Sequence, residues 1–208
     1  MTSRYTAEPV LHPVELAHLR PTQMTVGKAE VERKRHEWRN SDPAEGGDWL
    51  GRHMIPAVIG PKGTPWIIDH HHLALALQLE GVEHVLVSIV ARLDHLPRGR
   101  FLSFMDNRNW LHPYDAEGHR RDFDDLPRRL GGLKDDPYRS LAGELRRQGG
   151  YAKTETPYSE FLWADFLRQR IGQKLIAHDL DRAIAKGLRH ARSPAAAYLP
   201  GFAGPSDG

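Results

Sequence analysis

Apolar and polar positions alternate in two different ways along this chain, and the change falls near residue 100. Ile55–Ile59 is a continuous apolar run that stops at Gly60-Pro61-Lys62-Gly63, residues typical of a hairpin turn, and Trp66-Ile67-Ile68 follows. Asp69 is a preferred N-cap residue, and the Leu/Ala-rich segment behind it has helix-forming composition until Gly81 supplies a stop. The pattern therefore predicts strand, tight turn, strand and helix. Glu83–Arg92, with Val85, Val87, Ile89 and Ala91 alternating against Leu86, Ser88 and Val90, predicts a strand buried on both faces. Upstream, Val10–Leu19 reads as a strand or extended lead-in, Pro21-Thr22-Gln23 as the opening of a helix through Val26, Val31 and Arg35, and Ser41–Asp48 as a loop.

From Phe101 onward the pattern is one of short helices and turns. Asp136-Pro137 reads as an N-cap followed by proline at the first helical position, with Gly149-Gly150 closing that helix. Thr156-Pro157 repeats the device, and Ile171, Leu175, Leu180, Ile184 and Leu188 recur near helical spacing in one last helix. Ser193–Gly208, rich in Pro, Ala and Gly, reads as a flexible tail. No internal repeat is present. The expected architecture is α+β: a small mixed sheet with helices over 10–100, a mainly helical extension packed on it over 101–192, and the tail over 193–208.

Composition changes this picture mainly by exclusion. The 208 residues are 39% hydrophobic and 27% charged, ordinary values for a soluble globular protein. No uncharged run reaches the length of a membrane span, and the first residues lack a signal-peptide apolar region, so a cytoplasmic location with no membrane partner is expected. The absence of cysteine removes disulfides, thiolate zinc sites and cysteine nucleophiles together. A net charge of +2 is too small to argue for nucleic acid by itself, although Arg168–Arg192 carries a local basic surplus. A solvated helix face accounts for that surplus more simply than a DNA-binding one.

The chemistry-bearing residues cluster at the predicted helix start. His70, His71 and His72 would stand where backbone N–H groups and the helix dipole favour an anion. Consecutive helical residues fan out by about 100°, so the three cannot close on one metal ion by themselves. One or two could bind phosphate, move a proton, or join carboxylates from elsewhere on a metal. Asp69 is a catalytic candidate, with simple capping as its equal competitor. Thr22 and Gln23 offer hydrogen bonds to a base or ribose, and Lys28 a charge for phosphate. In Asp135-Asp136-Pro137-Tyr138-Arg139-Ser140, Arg139 is a candidate phosphate clamp with Ser140 beside it, and Asp135 a candidate Mg²⁺ ligand. A cap and a structural ion pair explain the same residues equally well.

These segments carry a resemblance. Leu19-Arg-Pro-Thr-Gln-Met-Thr-Val-Gly27, Asp69-His-His-His-Leu-Ala74, Asp135-Asp-Pro-Tyr-Arg-Ser-Leu-Ala142 and Pro157-Tyr-Ser-Glu-Phe-Leu-Trp-Ala-Asp-Phe166 resemble, in order, the motifs of the ParB-like nucleases. These belong to the ParB/sulfiredoxin superfamily, in which a hairpin delivers a turn into a phosphate-binding helix. The resemblance covers roughly residues 10–190 and implies that fold for the 10–100 core. His72 is similar to the slot where an Arg or His of the family meets phosphate. Glu30 lies in a region comparable to that of a basic Glu in the serine-kinase branch, which makes it a catalytic candidate. Sulfiredoxin chemistry needs a cysteine in the turn, where this chain has histidine, and is excluded.

Two function classes follow. The first is an enzyme of phosphate chemistry, a nuclease or nucleotide-dependent kinase, with a nucleotide or other phosphate-bearing substrate and Mg²⁺ as the expected cofactor. The alternative is a non-enzymatic, DNA-associated module of partition type. Against it, no helix-turn-helix is evident, and the paired arginines of the partition proteins are replaced by His-His-Leu. A structural metal-binding protein is a third class, lacking a second local ligand pair.

Overall fold

The computed structural model of the protein describes residues 11–41, 51 and 53–205. Residues 42–48 of the expected loop and 206–208 of the expected tail lie outside them. The fold is α+β. The chain divides into two compact units: Met1–Met24 with Val31–Pro113 and Arg121–Leu133, and Thr25–Glu30 with Tyr114–Arg120 and Lys134–Gly208.

The first unit is built on a five-stranded sheet in the order β1-β6-β4-β5-β2. Its strands are β1 (Leu11–Glu15), β2 (Arg20–Pro21), β4 (Ile55–Ile59), β5 (Pro65–Ile67) and β6 (His84–Arg92). β4 and β5 form the expected hairpin, antiparallel with Val58 opposite Trp66. β6 runs parallel to β4, β1 antiparallel to β6, and β2 parallel to β5, pairing Arg20 with Trp66. Lys62 sits in the hairpin turn at φ 63°. The helices are α2 (His71–Leu79) and α3 (Arg98–Asn107), with most of α1 (Lys28–Arg39). Val58, Trp66, Phe101, Leu102, Met105, Leu111 and Leu126 make one buried cluster, in which the Trp66 and Phe101 rings lie 5.5 Å apart. α2 buries Leu73, Ala74, Ala76 and Leu77 and ends as its composition predicts: Gly81 takes φ 77° while Val82 N donates to Leu77 O at 3.0 Å.

The second unit pairs β3 (Thr25–Val26) with β7 (Lys134–Asp135) and carries α4 (Pro137–Arg147), α5 (Ser159–Arg168), α6 (Gln173–His178) and α7 (Leu180–Ala191). The first turn of α1, residues 28–30, counts with this unit. Its core gathers Leu141, Leu145, Trp163, Phe166, Leu167, Ile184 and Leu199, with Trp163 stacked on Tyr151 at 4.3 Å. Asp136 caps α4 as predicted, accepting from Tyr138 N at 2.9 Å, with Pro137 at the first turn.

The structure corrects several local expectations. Residues 21–26 are not helical, because their backbone is engaged in pairing with distant segments: Pro21 sits opposite Ile67, and Thr22 O accepts from His112 N at 2.8 Å. α1 starts only after Gly27, where a Cβ would stand 2.6 Å from Ser140 N. β6 is not buried on both faces; Val85 and Val87 are, whereas Val90 is 47% exposed. α5 begins at Ser159 behind Tyr158 in the left-handed conformation, two residues later than Thr156-Pro157 implies. The single last helix is two, broken at Asp179, whose carboxylate caps α7 by accepting from Arg182 N at 3.0 Å. Residues 193–205 are not a loose tail: Ala196 and Leu199 are buried, and Trp163 Nε1 donates to Pro200 O at 2.8 Å.

Candidate functional site

The β5–α2 junction gives the three consecutive histidines three different environments. The N-cap of α2 is His70, in the left-handed conformation at φ 61°, ψ 27°, and Asp69 is not the cap. Asp69 instead accepts from the backbone N–H of His70 at 2.6 Å. A left-handed residue followed by a right-handed one turns successive N–H groups toward a common concavity, an arrangement suited to an anion. His70 therefore enters α2 through a backbone state that costs a non-glycine residue about 1 kcal/mol or more.

His71 is buried, and it holds the junction in place. Its Nε2 accepts from Thr22 N at 3.1 Å, while Thr22 Oγ1 donates to Ile67 O at 2.8 Å. A backbone N–H can only donate, so the Nε2 lone pair of His71 is committed to Thr22 and the ring proton sits on Nδ1. His71 thus ties the end of β2 to the start of α2. His70 and Asp69 are exposed, with His70 Nε2 3.9 Å from Asp69 Oδ2, and His72 is half-buried. Gln23 is buried beside Thr22 and forms a bridge with His112.

The other sequence candidates belong to the second unit, where they act as caps and internal ion pairs. Asp135 Oδ1 accepts from Lys28 N at 2.8 Å, and Ser140 Oγ from Ala29 N at 3.1 Å, so both cap the first turn of α1. Glu30 is buried 2.5 Å from Arg147 Nη1, and Arg147 also meets Glu144 at 2.5 Å. Arg139 is buried over the Phe161 ring at 3.5 Å, with Nη2 3.6 Å from Glu160. Burial pushes the pKa of Arg139 down, against the pull of Glu160. Asp136 Oδ2 lies 2.7 Å from Arg168, and burial raises its carboxyl pKa in spite of that neighbour. Among the described residues, no three His, Asp or Glu side chains gather to hold a metal ion.

A family model described as "Putative ParB-like nuclease" matches residues 12–169. The chain belongs to this ParB-like family. The match spans all of the motifs quoted from the sequence. The crystal structure of protein Atu1540 from Agrobacterium tumefaciens superposes with a TM-score of 0.90 at 51% identity, covering 95% of this chain and 98% of that one. No curated protein matches the chain. Among the described residues of this ParB-like protein, no helix is long and apolar enough to cross a membrane.

Sequence reasoning passed over one group of side chains in the ParB-like first unit. Arg20, Arg92, Arg128 and Arg129 line a cavity with Lys62 and His18. The adjacent Arg128-Arg129 pair is visible in the sequence, but nothing in its spacing relates it to Arg20 or Lys62.

Proposed function

We propose that the chain binds a phosphate ester at the start of α2 and hydrolyses a phosphodiester there. The observation that carries this reading is the left-handed His70 followed by the helical His71, a turn suited to an anion and occupied at one N–H by the Asp69 carboxylate. An incoming phosphate takes the place of that carboxylate. The N–H groups at the start of the helix then hold its oxygens, in the manner of helix N-termini that bind anions.

His70 is then the proton carrier, since it is exposed, borders the turn and has Asp69 within reach to orient it. Water attacks phosphorus as the imidazole takes its proton. The P–O bond to the leaving alcohol breaks, and that oxygen takes a proton from solvent. His71 is a positioning residue, because its Nε2 lone pair serves Thr22. Family membership supports the reaction class, and the residue roles rest on the geometry alone.

Hydrolysis of bis(4-nitrophenyl) phosphate by the parent, His70→Ala and Asp69→Asn tests the reading. Parent turnover is expected, with a loss of about 10²-fold or more in His70→Ala, in the range typical of general-base removal. Equal rates in all three proteins would refute it.

A further inference from the structure

The first unit contains a second place built for negative charge, and it shares no lining residue with residues 69–72. An open cavity of about 660 Å³ is bordered by β1, β2, the ends of β4 and β6, the hairpin turn and the segment around residues 128–129. That volume lies within the range of small-molecule sites. Its charged lining is Arg20, Lys62, Arg92, Arg128 and Arg129, joined by His18, and among the described residues no Asp or Glu lines it. Val14, Ile59 and Ile89 give the same space an apolar wall.

Guanidinium groups converging on one cavity repel each other, so the arrangement costs stability unless something compensates it. Elsewhere in this unit charge is compensated: Glu80 meets both Arg35 and Arg39, and Asp124 meets Arg98. Arg20 instead stacks 5.6 Å over the Trp66 ring, and burial together with Arg128, Arg98 and Arg129 lowers its pKa. Lys62 adds a second peculiarity. It occupies a left-handed turn position at φ 63°, where glycine fits without strain, yet a lysine stands there on the cavity wall.

We propose that this cavity is a separate binding site for a small organic polyphosphate, an ester with two or more contiguous phosphates and an apolar or planar body. The guanidinium groups match phosphate oxygens in pairs. The Val14–Ile59–Ile89 wall receives the body, and the bound anion supplies the missing counter-charge. The site does not depend on the chemistry assigned to the α2 start.

Isothermal titration at fixed ionic strength tests it, with inorganic pyrophosphate, ATP and a twelve-residue oligothymidylate as probes. Pyrophosphate and ATP are expected to bind the parent, and Arg128→Ala/Arg129→Ala to weaken both at least tenfold. Both arginines are exposed, so that variant should fold normally. Lys62→Gly separates binding from folding, since it removes a charge while relieving the turn; it should weaken ATP at least threefold and melt no lower than the parent. His70→Ala and Asp69→Asn should bind pyrophosphate within twofold of the parent, even if their hydrolytic rates refute the role given to His70. The proposal is overturned if the parent binds neither pyrophosphate nor ATP, or if the arginine variant binds them unchanged. It is also overturned if the oligonucleotide binds tenfold more tightly than ATP through the same arginines, which would assign the cavity to a nucleic-acid backbone.

Discussion

In the second unit Glu30, Asp136 and Arg139 are buried, and each meets an opposite charge: Arg147, Arg168 and Glu160 respectively. In the first unit Asp69, His70, Arg128 and Arg129 are exposed, around a strained turn and an open cavity. The same residue types therefore do different work. Charge that is enclosed and neutralised within the chain holds helices in register. Charge left at the surface next to concave backbone or an open cavity is available to a ligand. The candidates that looked equally good in the sequence divide along this line.

The largest effect that could break the comparison lies in the second unit. Glu160→Gln leaves Arg139 buried without its nearest counter-charge and should cost about 3 kcal/mol in urea denaturation. Adding Arg139→Met should restore most of that loss, because an apolar side chain needs no partner. A loss well below about 1 kcal/mol would mean that the pair is not the structural element described here. Next comes His71→Ala, which removes a buried ring and its bond to Thr22 and should cost about 2 kcal/mol by the same measurement. A stability equal to the parent would free His71 for a chemical role.

Smaller still are the exposed residues of the α2 start. Asp69→Asn and His70→Ala should stay within about 0.5 kcal/mol of the parent in stability, as surface substitutions do, while losing phosphodiester hydrolysis. The smallest effect is expected on the second unit's basic surface. Charge reversal at Arg182, Lys186 and Arg189 should leave hydrolysis unchanged, because α7 buries Ala183, Ile184 and Gly187 and carries these cations as a solvated face. Salt-sensitive DNA binding lost in that variant, with His70→Ala binding normally, would revive the partition-type alternative.

Local pattern carried much of this fold because its signals were local. The hairpin at 60–63, the α2 stop at Gly81 and the Asp136-Pro137 cap all depend on residues within one turn of each other. Residues 21–26 misled because their conformation is set by pairing with Ile67 and His112, far away in the chain. The site was legible as a place and not as a set of roles. Asp69 with three histidines marked the helix start, but the left-handed turn at His70 has no signal in the pattern, and the Thr22–His71 bond joins α2 to a residue that the pattern had placed at the opening of a helix. The arginine cavity was invisible for the same reason, since Arg20, Lys62, Arg92 and Arg128 meet only through the order of the sheet and a distant loop.

The central claim is that phosphate is held by the first-turn amides of α2. A ¹⁵N–¹H NMR titration with phenyl phosphate reads those amides directly. The account predicts saturable shifts at His70, His71 and His72. Saturation that leaves these three amides unmoved, or that shifts only Arg20, Lys62 and Arg128, would contradict it.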